Sequence, residues 1–503
     1  DRDLIRTALN QNMVVEAAAG TGKTTELVSR IVAVVAEGKA TVTGIVAVTF
    51  TEKAAGELKL RLRTELERAR VAQSDLQKRQ RLEAALAHLE EARVSTIHAF
   101  CADLLRERPV EAGIDPGFEV LTEPQSKQLF RQAFRTWFQN KLETIPEGLR
   151  RFLRRHWRDP AAQVLFSTTY TQVLPWRDFP AQWRRDPFNR ETEIDSLVER
   201  VHQLAVSCSN PDRVDHPLYT ATMPVRQLSE TIHAAEAVRA RDYDGLEADF
   251  VALARYGELR SPSRKGSGHY SSTLKRDELL EAMAGLASSL ADFEQRANAD
   301  LAAVLRAELQ ESIDAYEQLK RRSGALDFLD LLIRARDLIK DSVGARLDFQ
   351  RRITQILVDE FQDTDPLQAE LLLLLTSEEA SERDWSRVKP AAGKLFVVGD
   401  PKQSIYRFRR ADVGVYQTVR DLLISNGALS AKLTTSFRSV PSLQGLINAA
   451  FAPEMTEDGE TLQAGYVALS SFREEASAQP SIVALSVPRP YGQRRLSAAA
   501  VEK

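Results

Sequence analysis

The sequence predicts an α/β fold: a parallel sheet covered by helices, interrupted by a large helical insertion. Three observations predict it. Short apolar runs alternate with amphipathic stretches over residues 1–121. From about Thr122 to Arg322 the pattern is helical, rich in Arg, Ala, Leu and Glu. Buried apolar runs that end in acidic residues then resume at Ile353 and Gly393.

In order along the chain, NMVVEA (Asn12–Ala17) reads as the first strand, with a helix from about Gly22 to Glu37. TGIVAVTF (Thr43–Phe50) is the second strand, followed by the helical EKAAGELKLRLRTELERAR. RVSTIHAFCADLLRE (Arg93–Glu107) reads as a third strand and its helix. Turn clusters break the insertion at Ser209–Asp212 and Ser261–Gly268. ITQILVDEF (Ile353–Phe361), GKLFVVGD (Gly393–Asp400) and AKLTTSFRS (Ala431–Ser439) are further strands. The run Leu371–Leu375 reads as a buried helix face, and SIVALSVP (Ser481–Pro488) as the start of a new element. The expected division is 1–121 and 326–440 for two halves of one α/β domain, 122–325 for the insertion, and 441–503 for the beginning of a second α/β domain.

Bulk numbers narrow the classes. A chain of 503 residues with 43% hydrophobic and 28% charged residues can bury sizeable cores. A net charge of −3 offers no global basic field, so any nucleic-acid contact must be local. Two distant cysteines, Cys101 and Cys208, exclude a disulfide framework or a cysteine-rich metal cluster within this sequence. No apolar run approaches the roughly 20 residues of a membrane span. DRDLIRTALNQ has no leader pattern and no initiator Met, and the expectation is a trimmed, cytoplasmic chain.

The chemistry starts at EAAAGTGKTTELVSR (Glu16–Arg30). A strand, a glycine-bearing loop and a helix form the context of a phosphate-binding loop. The loop runs through Ala17, Ala18, Ala19, Gly20, Thr21 and Gly22 to Lys23, Thr24 and Thr25. Amide groups and the dipole at a helix start attract phosphate. Lys23 would neutralise phosphate charge and Thr24 would hold Mg²⁺ through its hydroxyl. The usual pattern has glycine at the Ala17 position; a methyl is tolerable there if the backbone φ is negative. The bland reading is a glycine turn without function. The second half of a nucleotide site is ILVDE, where Asp359 ends an apolar strand as a metal-binding acid. Glu360 beside it can orient and deprotonate water. Strands often end in solvated acids, but both halves together favour nucleotide hydrolysis.

Further motifs follow in order: VTFTEKAA (Val48–Ala55), VSTIHAFC (Val94–Cys101), VDEFQDTDPLQ (Val358–Gln368), VVGDPKQSIYRFRRAD (Val397–Asp412) and TTSFRS (Thr434–Ser439). This set resembles superfamily 1 DNA helicases of the UvrD/Rep type, and within them the RecB/AddA-like helicase–nuclease branch. The resemblance covers Asn12–Phe118 and Leu326–Ser442. It implies a RecA-like phosphate-loop fold that uses ATP and Mg²⁺, with the start of a second RecA-like domain at the C-terminal end. That family tolerates alanine at the Ala17 position. By matching position, the resemblance implies Thr24 and Asp359 on Mg²⁺ and Glu360 as the base. It places Gln403 and Arg438 at the γ-phosphate, and Arg30 with Phe437 around the adenine. On the DNA side it implies Phe50, Thr51, Thr96, His98, Tyr406 and Phe408, the aromatics stacking on bases without reading sequence. Relatives often have Trp where Phe408 stands, and glycine where Arg410 stands. Phe50 and Phe408 could equally be core aromatics, and His98 a helix N-terminal residue.

The insertion carries no motif of that family. LRRFLRRHWR (Leu149–Arg158) interleaves five arginines with Phe152 and Trp157, and RSPSRKGSGHYSSTLKR (Arg260–Arg276) is a basic loop. Either could touch DNA phosphates, although a solvated basic face over a buried aromatic stripe is the commoner reason for the first. PDRVDHP (Pro211–Pro217) is similar to a string of RecB-like nucleases, but no [DE]-x-K follows and it reads as chance. The resemblance implies single-stranded DNA and single-strand/duplex junctions as partners, with 3′ to 5′ polarity, in recombinational repair or DNA end processing. A nuclease or second helicase subunit would be a further partner. The adenine-reading glutamine is not seen, since Gln11 is too close to the loop. The family's later motifs and a nuclease domain are absent, so ATP binding with weak or no unwinding is expected of this chain. An ATP-gated DNA-binding subunit without hydrolysis is the competing reading. A phosphate-loop kinase or transport ATPase leaves GDPKQSIYRF unexplained.

Overall fold

The computed structural model describes residues 1–156, 159–179, 183–262, 268–407, 410–456, 464–475 and 481–483. Phe408, Trp157 and residues 484–488 of the run read as a late strand lie outside the described residues. The chain divides into two compact units, Asp1–Phe118 with Phe328–Lys503, and Glu119–Asp327. The strands in chain order are β1 Met13–Ala17, β2 Ile45–Thr49, β3 Arg93–Thr96, β4 Glu119–Val120, β5 Ala325–Leu326, β6 Gln355–Val358, β7 Leu395–Gly399, β8 Leu429–Leu433, β9 Thr435–Ser436 and β10 Ser470–Ser471.

The first unit holds a six-stranded sheet in the order β3-β2-β6-β7-β1-β8. All five pairings are parallel. Its central strands β2, β6 and β7 are buried along their whole length. That is why they read as continuous Val/Ile/Leu runs and not as an alternation. Helices α1 (Arg2–Thr7), α2 (Lys23–Ala36), α3 (Glu52–Ala72) and α4 (Leu76–Ala87) share one core with the sheet. Leu27, Ile31, Leu58, Leu62 and Leu82 there meet Met13, Val15, Ala47, Leu357 and Phe396. Helix α5 (Ile97–Glu107) packs against the helix Phe328–Asp341, which also packs against the helix Pro366–Thr376. Leu371 to Leu375 are buried in the latter.

One strand differs from its expectation. AKLTTSFRS is not continuous: β8 ends at Leu433, and β9 pairs instead with β10. The chain leaves the sheet there because the Phe437 amide donates to the Gly20 carbonyl, 2.8 Å away, which draws the segment onto the glycine loop.

The second unit is helical. The ribbon β4/β5 belongs to it, pairing Glu119 with Ala325 and Val120 with Leu326. Its junctions therefore fall a few residues outside the 122–325 read from the sequence. A 47-residue helix, Arg276–Arg322, runs through it. One apolar cluster packs on Leu279–Ala297 of that helix and another on Leu309, Ile313 and Tyr316. A buried ion network is also present. Arg151, with no exposure, holds Glu247 at 3.0 Å and Asp300 at 2.7 Å. Arg155 holds Glu247 at 2.5 Å, Arg154 reaches Asp242 at 3.0 Å, and Arg150 pairs with Asp244. Of the four arginines described in LRRFLRRHWR, the side chains of Arg151 and Arg155 are buried and engaged by acids of the same unit, while Arg150 and Arg154 are half-exposed and paired with Asp244 and Asp242. The basic loop at Arg260–Arg276 is described only in part. The D-R-V-D string lies in a surface turn, where exposed Arg213 pairs with exposed Asp215 at 2.7 Å. No described helix is long and apolar enough to cross a membrane.

Removing one member of a buried ion network leaves its partners charged and dry. Arg151→Ala should therefore lower the stability of this unit by about 3–5 kcal/mol, whereas the half-exposed Arg154→Ala should cost about 1 kcal/mol or less. Denaturant unfolding of the two variants checks the difference.

Candidate nucleotide and nucleic-acid site

The site is built at the C-terminal ends of the parallel strands, where an open sheet presents its loops to ligand. Ala17 is the last residue of β1, buried and paired with Leu433. Left-handed geometry falls instead on Gly20 (φ +77) and Gly22 (φ +85), the latter capping α2. Alanine at 17 therefore carries no backbone strain. A Cβ on Gly20 would also stand 2.6 Å from the Arg438 Cβ, so glycine is required there twice over. Ala18 is buried and Ala19 exposed. Thr21 is fully buried, and its hydroxyl donates to the Ala18 carbonyl at 2.7 Å. Thr25 is exposed in the first turn of α2.

Lys23 and Thr24 open α2 and meet the acids that follow β6. The Lys23 ammonium lies 2.5 Å from the Glu360 carboxylate, and the Thr24 hydroxyl 3.2 Å from Asp359 Oδ2. Asp359 is aligned by its amide, which donates to the Val48 carbonyl at 2.9 Å. Burial, and next the charge of Glu360, push its carboxyl up to about 6. The same two causes raise Asp363 to about 6. Glu360 adopts φ +54; Glu360 and Arg410 are the non-glycine residues with positive φ among those described. Such a conformation costs on the order of 1–3 kcal/mol and persists only where surrounding contacts impose it. Gln403 donates to Asp400 Oδ2 at 2.7 Å, just past the end of β7. Hydroxyl and carboxylate oxygens at the start of a phosphate loop form the hard donor set that suits Mg²⁺. Thr24 and Asp359 fit that ion.

Phe437 and Arg438 are drawn against the loop by the Phe437–Gly20 hydrogen bond. Arg30 is not beside them, and its expected place at the base is corrected. Its side chain is fully buried and its guanidinium donates to the carbonyls of Ile5 (2.9 Å), Ala8 (3.3 Å) and Gln11 (3.0 Å). They lie at the end of α1 and in the turn after it, where helical partners run out; the Ala8 carbonyl also accepts the Gln11 amide at 3.4 Å. Burial pulls Arg30 down to about 10, so it stays charged at neutral pH. The residue over the Phe437 ring is Arg2, its guanidinium 4.9 Å from the ring centre. Arg2 also donates to the Thr21 carbonyl at 2.6 Å and pairs with buried Glu26, which Arg6 holds too. Sequence reading missed Arg2. The one hint was Arg2 and Arg6 spaced four apart on a helical face.

Two of the three aromatics expected on the DNA side, Phe50 and Tyr406, come together. Phe50 and Tyr406 stack with ring centres 4.9 Å apart and planes 26° from parallel. They present one joint surface, not two. Thr49, Phe50, Asp359, Glu360, Asp363 and Gln368 line a small pocket between Phe50 and the acids. Thr51 caps α3 by accepting from the Ala54 amide at 3.1 Å. Thr96 is corrected as a DNA contact through its side chain: it is buried, donates to Glu52 at 2.7 Å and caps α5. His98 sets its edge on Phe328, with ring centres 5.6 Å apart, and burial lowers its pKa. Arg410 (φ +70) occupies a conformation that glycine adopts freely, and its guanidinium lies 2.8 Å from Asp365, the cap of the helix Pro366–Thr376.

A glycine loop after β1 whose lysine and threonine meet two adjacent acids after β6 is the arrangement of a phosphate-loop nucleotide-binding fold. The family model of the UvrD/REP helicase N-terminal domain matches residues 2–423, and the chain belongs to that family. It is similar to bacterial proteins named as subunits of an ATP-dependent helicase/nuclease. The one from Syntrophomonas wolfei is 25% identical over 490 residues, covering 90% of this chain and 37% of that protein. Those of Pediococcus pentosaceus (26% identical, 89% of this chain, 38% of the relative) and Staphylococcus saprophyticus (25%, 90% and 39%) are alike. The chain thus spans little more than a third of the length of these relatives.

A carboxylate whose pKa is raised on folding costs stability above that pKa, and the cost disappears as pH falls toward its unfolded value. Asp359→Asn should therefore raise the melting temperature of the protein without nucleotide at pH 7–8, by about 1 kcal/mol of stability. The gain should shrink between about pH 6 and pH 4. Thermal unfolding across that range, with and without Mg²⁺ and nucleotide, checks it.

Proposed function

We propose that this chain is the N-terminal motor portion of an ATP-dependent DNA helicase or translocase. It would move 3′ to 5′ on single-stranded DNA in recombinational repair or DNA end processing. The observation that carries this reading is the pair of contacts Lys23–Glu360 (2.5 Å) and Thr24–Asp359 (3.2 Å), on the sheet edge that also bears the Phe50–Tyr406 stack. Phosphate chemistry and a base-stacking surface at one edge are what a motor needs.

The geometry supports the following roles. Lys23 would shift its charge from Glu360 to phosphate oxygens, which frees the carboxylate to take a proton from water. Thr24 and Asp359 would hold Mg²⁺, which neutralises phosphate charge. Arg2 and Phe437 would bracket the base, replacing the Arg30–Phe437 pair read from the sequence. Arg438 and Gln403 would reach the terminal phosphate. Phe50 and Tyr406 would stack on bases at about 1–3 kcal/mol per base, independent of sequence. Single-strand/duplex junctions would be the substrate. The relatives are named as subunits of a helicase/nuclease, which supports a nuclease-bearing or second helicase partner.

The test is ATPase turnover of the full-length gene product with and without single-stranded DNA. Stimulation by DNA is expected, and Glu360→Gln should lower kcat by about 10²–10⁴. Nucleotide binding without turnover would instead establish an ATP-gated DNA-binding protein. Arg2→Ala should raise the KM for ATP, and its loss of thermal stability should be moderated by Arg6, which still holds buried Glu26. Arg30→Met should do the reverse, leaving the buried Ile5 carbonyl unpaired at about 1–3 kcal/mol.

A further inference from the structure

Gln362 lies between the acids after β6 and the loop after β7, and it is 2% exposed. Its side-chain nitrogen donates to Glu360 Oε2 at 2.8 Å and to Asp363 Oδ2 at 3.3 Å. Its side-chain oxygen accepts the Asp400 amide at 2.9 Å, and its own carbonyl accepts the Ser404 hydroxyl at 3.1 Å. The fit is close: a Cβ on Gly399 would stand 2.7 Å from that side-chain oxygen. The orientation of the amide is dictated by its partners. A backbone N–H can only donate, so the oxygen must face Asp400. Ionised carboxylates can only accept, so the nitrogen must face Glu360 and Asp363. A glutamate here would set a third carboxylate against two others, and a methionine would leave the buried Asp400 amide without an acceptor.

We propose that Gln362 is a positioning residue for turnover: it holds the Glu360 carboxylate in place and ties it to the Asp400–Tyr406 segment. The proposal rests on the reading of Glu360 as the base. Glu360 sits on a left-handed backbone that does not by itself set where its carboxylate points, and Gln362 supplies the tether. The other end of the tether is the main chain of Asp400. The Asp400 carboxylate holds Gln403 at 2.7 Å, and Tyr406 farther along stacks on Phe50. A shift of this segment is thereby passed to Glu360 through one rigid amide.

The experiment compares Gln362→Glu, which keeps the acceptor for Asp400, loses the donors and adds a carboxylate beside Glu360 and Asp363, with Gln362→Met, which loses donor and acceptor without adding charge. Each is made in the full-length protein and again with Glu360→Gln. Turnover and KM for ATP are measured with single-stranded DNA, beside melting temperature. Both single variants should lose about 10–100-fold in kcat while KM stays within about threefold. On the Glu360→Gln background either change should alter the residual rate by less than about twofold, because the carboxylate it positions is gone. If the same fold loss recurs on both backgrounds, Gln362 is a core amide only and the positioning role is overturned, with the base reading intact. If Glu360→Gln alone leaves turnover unchanged, the base reading and this proposal fall together. A methionine variant that does not fold leaves the glutamate variant to decide.

Discussion

The constraint on which the rest depends is the interleaving of the sheet. β6 and β7 come from beyond the helical unit in sequence, yet they lie between β2 and β1. Parallel pairing fixes their direction, so every one of these strands ends at the same edge. Residues hundreds of positions apart are thereby set within hydrogen-bond distance: Thr24 with Asp359, Lys23 with Glu360, Gly20 with Phe437. The helical unit of some two hundred residues begins and ends in paired strands, β4 and β5, which run side by side.

At that edge stability is given up for chemistry. Asp359, Glu360 and Asp363 crowd three carboxylates around one lysine, and burial raises two of them. Glu360 and Arg410 hold left-handed backbones, and both lie in the segments that build the site. Strain and desolvation of this kind persist where the fold around them over-determines the geometry. Here that support comes from the central sheet, from Gln362, and from the pairing of Arg410 with Asp365.

The helical unit shows the opposite use of charge. Arg151, Arg155, Glu247 and Asp300 neutralise one another inside it. Periodicity showed a basic stretch, LRRFLRRHWR, but could not show that its acids arrive from Asp242–Glu247 and Asp300. A charge pattern read along one helix says nothing about what other helices bring to it. Arg30 escapes a sequence reading for the same reason. Its place in EAAAGTGKTTELVSR favours the ligand, and only packing reveals that α1 and the turn after it take up its guanidinium with three carbonyls.

What the sequence by itself determined is what local spacing encodes: the strand–loop–helix of the phosphate site, the strands that end in acids, the helical insertion, and the family the chain belongs to. Those signals survive because backbone conformation and burial leave a period in the residues that must satisfy them. Tertiary structure alone decided which side chains meet. Arg2 and not Arg30 lies over Phe437, Phe50 and Tyr406 form one surface, Thr96 turns inward, and Gln362 bridges Glu360 to Asp400. Each of these depends on long-range contacts between strands and helices, which no window of adjacent residues contains.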